Sequence, residues 1–407
     1  MKLLVILLVL VGGFFPILLN IFKRKSATNP IPDSVKDVYD KETYEKWRSY
    51  NAEHSRLDLI NGIVVLAVTL IMFACNVFST FASLFPDAFA LQIIAVVLLD
   101  TVVSQIVSII FSYHATMVIE QKYGFNKSTI KTFVIDQIRG TLISLALSLA
   151  LSFIMAGLHS WLGDYIIILL AIVMFVFSLL ISFLYPILSR VGNKFVSLEE
   201  GELRTRLMDL LTSHGYKVSD IKVMDASRRT TKLNAYFSGF GKTKSIVLYD
   251  NLVNAMTTDE ICAVFAHELG HGLNKDVLKM QIMNIGNMLL IGVAAWISVC
   301  HVGLHEAFGF DGLNYGFAYL LTGVFISLIQ PLTGMLINAY SRRAEYRADK
   351  QAVTEGYGEA MVGALKKLAV ENFAELAPTR ISVLLEYSHP PLADRIDAIQ
   401  KSLSEKV

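Results

Sequence analysis

The stretch Ala266-His267-Glu268-Leu269-Gly270-His271 contains the pattern H-E-x-x-H about two-thirds of the way along the chain. On an α-helix, residues four apart lie on one face, about 6 Å apart along the axis, so both imidazoles can bind one metal ion. The carboxylate of Glu268 can then take a proton from a water molecule at the metal. Such a site also needs a helix around the motif, a third protein ligand and room for a substrate.

The residues before the motif predict the helix. Thr257 is followed three residues later by Glu260, which is the capping-box pattern of a helix start. Apolar residues then recur at helical spacing: Ile261, Val264, Phe265 and Leu269. The pattern places both histidines well inside this helix.

The segment from Ser341 to Asp349 offers the third ligand. It has a helical composition, and Glu345 and Asp349 lie four residues apart on one face. A catalytic zinc takes three protein ligands and keeps one open position. We expect Glu345 to be the third ligand and Asp349 to fix the tautomer of a ligand histidine. The alternative is a solvated, salt-bridged helix end, which is the usual meaning of such a charge run.

A short final helix is predicted after His389-Pro390. If it lies near the zinc, His389 can stabilise an oxyanion, and Arg395 can pair with Asp349 or another carboxylate.

The composition is that of a membrane protein, with 54% hydrophobic and 17% charged residues. The net charge of +1 gives no reason to expect a nucleic-acid partner. Cys75, Cys262 and Cys300 are scattered, so we predict neither a disulfide framework nor a cysteine metal site.

Seven apolar stretches are long enough to span a bilayer. They cover 3–22, 58–84, 90–118, 140–159, 164–188, 278–302 and 315–340. The first continues to Phe22 without an evident cleavage site, which indicates an uncleaved anchor.

The connections predict the orientation. Lys and Arg are frequent in 23–57, 119–139, 189–277 and 341–407, whereas the alternate loops contain none. By the positive-inside rule the N-terminus faces outside, and the H-E-x-x-H motif faces the cytoplasm. His301 and His305, in an outside loop, therefore cannot share a metal with His267, and we interpret them as ordinary loop histidines.

Polar residues follow several spans at helical spacing, as in the stripe Asp100, Ser104, Ser108 and Ser112 and the stripe Ser144, Ser148 and Ser152. One interpretation is tight helix packing through small residues. The other is a wet cavity between the helices, which a mid-membrane carboxylate at Asp100 favours.

The polar insert between the fifth and sixth spans begins with a predicted helix, Leu198 to about His214. Two extended runs follow, 234–240 and 245–249, and the residues between them, 241–244, read as a hairpin loop.

Taken together, these residues resemble the type I CAAX prenyl endopeptidases, a family of membrane zinc metalloproteases. The resemblance runs nearly end to end and rests on Val38-Tyr39-Asp40, Tyr44, Tyr123-Gly124-Phe125-Asn126-Lys127, Asn234-Ala235-Tyr236, the H-E-x-x-H motif, Glu345, Ala348-Asp349, His389-Pro390 and Arg395.

The resemblance implies a mostly α integral membrane protein in which seven transmembrane helices enclose a water-filled chamber. A cytoplasmic gluzincin-like protease domain with a small β-hairpin or sheet would bind one zinc ion through His267, His271 and Glu345. A substrate strand would lie along the edge that carries Asn234, Ala235 and Tyr236, and an edge strand can hold an extended peptide by its backbone.

The predicted divisions are the five N-terminal membrane helices (1–188), the protease insert (189–277), helices six and seven (278–340) and a C-terminal helical part that completes the site (341–407).

The predicted activity is zinc endopeptidase cleavage near the C-terminus of a prenylated or similar peptide, by a monomer in contact with membrane lipid. The short 303–314 loop and a tail without a di-lysine signal favour a bacterial plasma membrane over the endoplasmic reticulum. One alternative is a quality-control protease of the HtpX type, although seven spans argue against it. Another is a non-catalytic lipid-binding protein with a structural metal site. Glu268 argues against it, because a structural site needs no general base.

Overall fold

The computed structural model describes residues 1–26, 28–166, 169, 172–173, 175–180, 193–216, 221–238 and 245–405. The membrane part contains α1 (Lys2–Ser26), α2 (Lys41–Ala74), α3 (Val77–Ala82), α4 (Phe89–Tyr113), a π-helical continuation (His114–Glu120), α5 (Gln121–Tyr123) and α6 (Ile130–Leu162). The described part of the chain further contains α7 (Glu202–Ser213), α8 (Asp250–Ala255), α9 (Thr258–Leu273), α10 (Asp276–Cys300), α11 (Val302–Glu306), α12 (Tyr315–Thr354), α13 (Gly358–Glu371), α14 (Arg380–Leu385) and α15 (Leu392–Ser404).

Within the described residues, six helices are long and apolar enough to cross a membrane. They correspond to six of the seven predicted spans. About half of the fifth, 164–188, lies outside the described residues, and this span stays a prediction. The predicted end of the second span at 84 is wrong. Its helix ends at Ala74 because Asn76 takes a left-handed conformation (φ 54°) that turns the chain into α3.

The last membrane helix continues well beyond its predicted span. The predicted span ends at 340, but α12 runs for 40 residues without a break, past Pro331, to Thr354. Beyond the span its small face, which includes Ala348, packs against α9. A Cβ added to Gly270 of α9 would lie 2.9 Å from the Cα of Ala348, so glycine permits this close approach. One continuous helix therefore carries both a membrane segment and Glu345.

Among the described residues, the sheet has four strands in the order β1 (Phe195–Ser197), β2 (Ile221–Met224), β4 (Ser245–Tyr249) and β3 (Ala235–Ser238). The antiparallel pairing of β3 with β4, in which Ala235 faces Leu248, agrees with the predicted hairpin. Its loop, 239–244, lies outside the described residues. The sequence did not indicate β1 and β2, which have three and four residues. Because β3 is the last strand in the order, it forms an edge of the sheet.

The segment before α2 joins the N-terminal part to the C-terminal part. Asp40 caps α2 by accepting a hydrogen bond from the Thr43 amide at 2.7 Å. The hydroxyl of Tyr39 donates toward the carbonyl oxygens of Ala369 and Ala374 at 2.8 and 2.9 Å. Trp47 is buried in the same cluster, against α13 and α15. The family-like Val38-Tyr39-Asp40 stretch thus has a packing role.

The polar stripes of the membrane helices divide between the two interpretations. Asp100, Ser104, Ser108 and Ser112 line a cavity of ≈ 380 Å³ between α2 and α4, and Asp100 also borders a more apolar cavity of ≈ 400 Å³. In the other stripe, Ser148 and Ser152 are buried, and the Ser148 hydroxyl lies 3.0 Å from that of Tyr319 on α12. The first stripe therefore lines a cavity. In the second, Ser148 and Ser152 serve helix packing, whereas Ser144 is exposed.

Candidate active site

The capping box predicted at Thr257 positions the two motif histidines. The Thr257 side chain accepts from the Glu260 amide at 3.3 Å, and the Glu260 carboxylate accepts from the Thr257 amide at 2.8 Å. The helix that starts there runs to Leu273, so His267 and His271 occupy one face, with ring centroids 4.8 Å apart.

Glu345 of α12 completes a three-residue cluster with these histidines. Its Oε2 lies 3.5 Å from Nε2 of His267, and its Oε1 lies 3.3 Å from Nε2 of His271. Ligands held about 2.0–2.1 Å from a tetrahedral zinc are separated by about 3.4 Å. Among the described residues, the buried Oε2 of Glu345 has no hydrogen-bond partner. The donor set and its spacing fit a zinc ion.

The alternative for the segment around Glu345, a solvated helix end, is wrong. Glu345 and Asp349 are 4% and 1% exposed. Nδ1 of His267 lies 2.8 Å from Oδ1 of Asp349, which directs Nε2 of that ring toward Glu345. Arg395 of α15 donates to both oxygens of Asp349, from Nε at 2.8 Å and from Nη2 at 2.7 Å. The guanidinium compensates the charge of this buried carboxylate.

A second orienting carboxylate, Asp276, was missed by sequence reasoning. Its Oδ2 lies 3.1 Å from Nδ1 of His271, and its Oδ1 accepts from the Tyr340 hydroxyl at 2.9 Å and from Arg347 at 2.7 Å. Lys275 takes a left-handed conformation (φ 54°) and turns the chain, so that α10 starts beside the motif. The sequence does show an acidic residue, Asp276, shortly after the motif. The direction of its side chain, however, depends on the turn at Lys275, which the sequence pattern does not reveal.

The proton affinities of the site follow from its charges. Burial opposes the imidazolium of His271, but the hydrogen bond to Glu345 and the negative charges of Glu345 and Glu268 outweigh burial and raise the pKa of His271 to about 9. Burial also raises the pKa of Glu268, although the two histidines oppose that shift. A carboxylate with a raised pKa is a better proton acceptor than a solvated one.

His389 and Asn234 lie at the open side of this cluster. Nε2 of His389 is 3.3 Å from Oε1 of Glu345, and its side chain is 61% exposed. Both residues line a cleft of ≈ 720 Å³ that also reaches Arg395. The structure therefore brings the predicted substrate edge and the predicted catalytic histidine to one cleft.

The backbone of β3 is arranged for an added strand. The carbonyl of Asn234 accepts from the Tyr249 amide of β4 at 3.1 Å, whereas the Ala235 amide donates to the side-chain oxygen of Asn234 at 2.9 Å. Backbone groups of successive residues face opposite edges of a strand, so those of Ala235 face away from β4. The side chain of Tyr236 lies outside the described residues.

His301 and His305 lie apart from the cluster, beyond the far end of α10. Both ring nitrogens of the buried His305 contact backbone groups, Nε2 the Ser298 carbonyl at 2.8 Å and Nδ1 the Asn314 amide at 3.3 Å. His305 therefore has a structural role, not that of an ordinary loop histidine.

Comparisons with known proteins cover both parts of the chain. Residues 197–403 match peptidase family M48, and residues 20–190 match a family described as "CAAX prenyl protease N-terminal, five membrane helices". A CAAX prenyl protease 1 homolog of Oryza sativa subsp. japonica is 32% identical over 96% of this chain and 95% of its own. CAAX prenyl protease 1 of Saccharomyces cerevisiae is 27% identical over 94% and 91%.

A solved structure has the same fold. The crystal structure of S. mikatae Ste24p superposes with a TM-score of 0.90 and 26% sequence identity, covering 98% of each chain.

Proposed function

This chain belongs to peptidase family M48, as a membrane metalloprotease of the CAAX prenyl protease 1 type, and we propose that it cleaves prenylated CAAX-type peptides near their C-terminus. The observation that supports the site is the convergence of His267, His271 and Glu345 beside Glu268, at the cleft that contains His389. The names of the curated relatives support the substrate class.

One zinc ion would be held at this site by His267, His271 and Glu345. Zinc bound there would supply Lewis acidity for peptide hydrolysis, polarising the scissile carbonyl and acidifying a water molecule. The protein itself keeps both imidazoles oriented through Asp349 and Asp276, so that little reorganisation is needed when the metal binds.

Proton transfer is the task of Glu268. Its raised pKa suits it to accept a proton from the attacking water and to pass that proton to the leaving amine. His389, on the open side of the cluster, would donate a hydrogen bond to the developing oxyanion. Arg395 acts through Asp349 and holds its charge in place.

The substrate backbone would add to the outer edge of β3. The outward-facing groups of Ala235, next to Asn234 in the cleft, can pair with an extended peptide. The lipid chain would enter the membrane part, where the more apolar of the two cavities at Asp100 offers ≈ 400 Å³ between α4, α6, α10 and α12.

We further propose seven spans with the N-terminus outside and the site cytoplasmic, in a bacterial plasma membrane. At one end of the bundle Lys2 donates to the Ala74 carbonyl and to Asn76. At the other end Lys23 pairs with Glu386 at 2.8 Å, three residues before His389. These contacts support opposite faces for the N-terminus and the site. All site residues come from one chain, which is compatible with a monomer.

The test compares purified, zinc-loaded protein on matched farnesylated and unmodified CAAX peptides, with Glu268→Ala as the background. We expect faster cleavage of the farnesylated peptide. Equal rates on both peptides, together with digestion of misfolded membrane proteins, would favour a quality-control protease of the HtpX type. Absence of any cleavage would leave a non-catalytic lipid-binding protein.

A further inference from the structure

We propose that a second divalent transition-metal ion, with Zn²⁺ as the best match, binds between His159, Asp164 and Cys300. One ligand atom from each residue lies within 4.8 Å of the other two. Within the described part of the chain, this cluster and His267–His271–Glu345 are the two that could hold a metal in this way. It stands apart from the proposed protease chemistry and does not depend on it.

The cluster forms where two membrane helices end. His159 lies in the last turn of α6, and Asp164 lies just after it in the 3₁₀ turn Gly163–Tyr165. Gly163 has a φ of 55°, which only glycine adopts readily, and this turn brings Asp164 back toward His159. Cys300 is the last residue of α10. The Trp296 indole of α10 donates to the Asp164 carbonyl at 3.0 Å and fixes the turn against α10.

The imidazole of His159 is oriented as a metal ligand is. Nδ1 lies 2.8 Å from the hydroxyl of Tyr315, the first residue of α12. The other nitrogen, Nε2, faces Oδ1 of Asp164 at 3.8 Å, which is too long for a hydrogen bond. Metal-ligating histidines bond one ring nitrogen to a neighbouring group and direct the other to the ion. The Tyr315 hydroxyl therefore contacts Nδ1 of His159 in the same way that Asp349 contacts Nδ1 of His267.

The spacing allows an ion to enter without refolding. Two ligands of a tetrahedral zinc lie about 3.4 Å apart. The three ligand atoms lie within 4.8 Å of one another, so they must approach by up to about 1 Å to hold one ion. The Asp164 side chain is 79% exposed and is free to rotate toward the other two ligands. His159 and Cys300 are partly buried and are held by their helices.

The donor atoms select the class of metal. One imidazole, one thiol and one carboxylate form an N, S, O set that suits Zn²⁺ and related borderline ions; Mg²⁺ and Ca²⁺ prefer oxygen ligands. Sequence spacing did not indicate a cysteine metal site because Cys300 is far from His159 along the chain, and only the fold brings them together.

The position suggests what the ion does. α10 has 25 residues and is about 37 Å long, and it begins at Asp276 beside the catalytic cluster and ends at Cys300. The second ion would therefore link the ends of α6 and α10 at the opposite end of the molecule, as a structural cross-link and not as part of the protease site.

Cobalt loading of the full-length protein distinguishes the two sites. A Co²⁺–thiolate charge-transfer absorption in the near ultraviolet requires a cysteine ligand, and the His267–His271–Glu345 site has none. We expect wild type to bind two Zn²⁺ or Co²⁺ per chain and to show this absorption. Cys300→Ser should bind one ion and lose the absorption, and Cys75→Ser, a matched change at an exposed cysteine, should behave as wild type.

Two further variants distinguish loss of one metal site from misfolding of the whole chain. Asp164→Asn alters an exposed side chain and should weaken only the second ion. His267→Ala should lose the other ion and keep the thiolate absorption. Cys300→Ser should retain peptide cleavage, because the catalytic cluster lies a helix length away. The proposal is overturned if the wild-type chain binds one ion and shows no thiolate absorption. It is also overturned if Cys300→Ser still binds two ions and still shows that absorption.

Discussion

At the residue scale, each motif histidine has a carboxylate of its own behind it. Asp349 from α12 contacts His267, and Asp276 from the start of α10 contacts His271. The two imidazoles are four residues apart on one helix, but the groups that orient them come from two different helices. The precision of the site therefore depends on how α9, α10 and α12 pack together.

Glu268→Ala removes the proposed proton acceptor and leaves the three proposed metal ligands, His267, His271 and Glu345, intact. General-base catalysis contributes about 10²–10⁴-fold, so kcat should fall by at least that factor while the zinc content stays at the wild-type value. Peptide turnover checks the expected fall in kcat, and metal analysis of the same preparation checks the unchanged zinc content. Wild-type turnover in this variant would refute the proposed mechanism.

Asp276→Asn tests the carboxylate that orients His271. The amide is isosteric, but it has no charge to stabilise the Nδ1 proton, so zinc affinity should drop about 10–100-fold. Competition with a zinc chelator measures this affinity. Asp397→Asn, at an exposed position of α15, is the matched control and should leave the affinity unchanged. Equal affinities for the two variants would remove Asp276 from the site.

Zinc affinity should rise with pH in a defined direction. The pKa of His271 in the metal-free site is raised from its usual 6.5 to about 9, so below pH 9 zinc must displace a proton from this imidazole. The apparent association constant should increase up to about tenfold per pH unit until pH approaches about 9, and then level off. The same proton stabilises the metal-free fold fully below pH 6.5, and this contribution is lost as pH rises through about 9.

Isothermal titration at several pH values, in buffers of different protonation enthalpy, checks this expectation. It measures the zinc affinity and the number of protons released together. An affinity that does not change between about pH 6 and about pH 8 contradicts it.

At the scale of elements, β3 has two unequal edges. One edge pairs with β4, and the other presents the backbone groups of Ala235 next to Asn234, which lines the cleft that contains His389. The Asn234 side chain accepts from the Ala235 amide and thereby covers it. A substrate strand that pairs with this amide must displace the Asn234 side chain.

Ala235→Pro removes the outward amide and spares the pairing with β4. An edge position tolerates proline, so the fold should persist. The loss of one backbone hydrogen bond, about 1 kcal/mol, should raise KM about fivefold with little change in kcat. Steady-state kinetics on a farnesylated peptide measure both constants. Ala235→Ser, which keeps the amide, should match wild type; an unchanged KM in Ala235→Pro would argue against strand addition at this edge.

The elements also differ in how well they could be predicted from the sequence. The capping box at Thr257 and the apolar spacing after it predicted α9 because both signals are local. Glu345 was predicted from its same-face pair with Asp349 and the need for a third ligand, and His389 and Arg395 from a predicted final helix near the zinc. The family resemblance supported these roles, because spacing along the chain does not by itself bring the three residues together. The second membrane helix was given the wrong end because hydropathy does not detect the left-handed turn at Asn76. Asp276 was missed for the same kind of reason, since its direction is set by Lys275.

At the scale of the whole molecule, contacts between distant segments separate two ends. Lys2 meets Ala74 and Asn76 at one end, and Lys23 meets Glu386 near the catalytic cleft at the other. The second proposed metal cluster belongs to the first of these ends, because it lies where α6 and α10 finish. The two proposed metal sites thus lie at opposite ends of the membrane helices.

The proposed orientation can be tested with two introduced cysteines. In a Cys75→Ser background, Asp311→Cys should react with a membrane-impermeant maleimide in intact cells, because Asp311 precedes α12 on the proposed outer face. Asp397→Cys, on α15, should react only after permeabilisation. Labelling of the background variant is subtracted from both. The reverse pattern would invert the topology.

The continuity of α12 has a consequence for the lipid around the protein. Glu345 lies 30 residues, about 45 Å, from Tyr315 along one unbroken helix, and the intervening residues form a candidate membrane span. A bilayer that is thinner or thicker than this span is accommodated in part by helix tilt. Tilt that moves Glu345 relative to His267 and His271, which belong to a different helix, should change the geometry of the proposed metal site. We therefore expect metal affinity and turnover to depend on the acyl-chain length of the host membrane, which vesicles of graded thickness would measure.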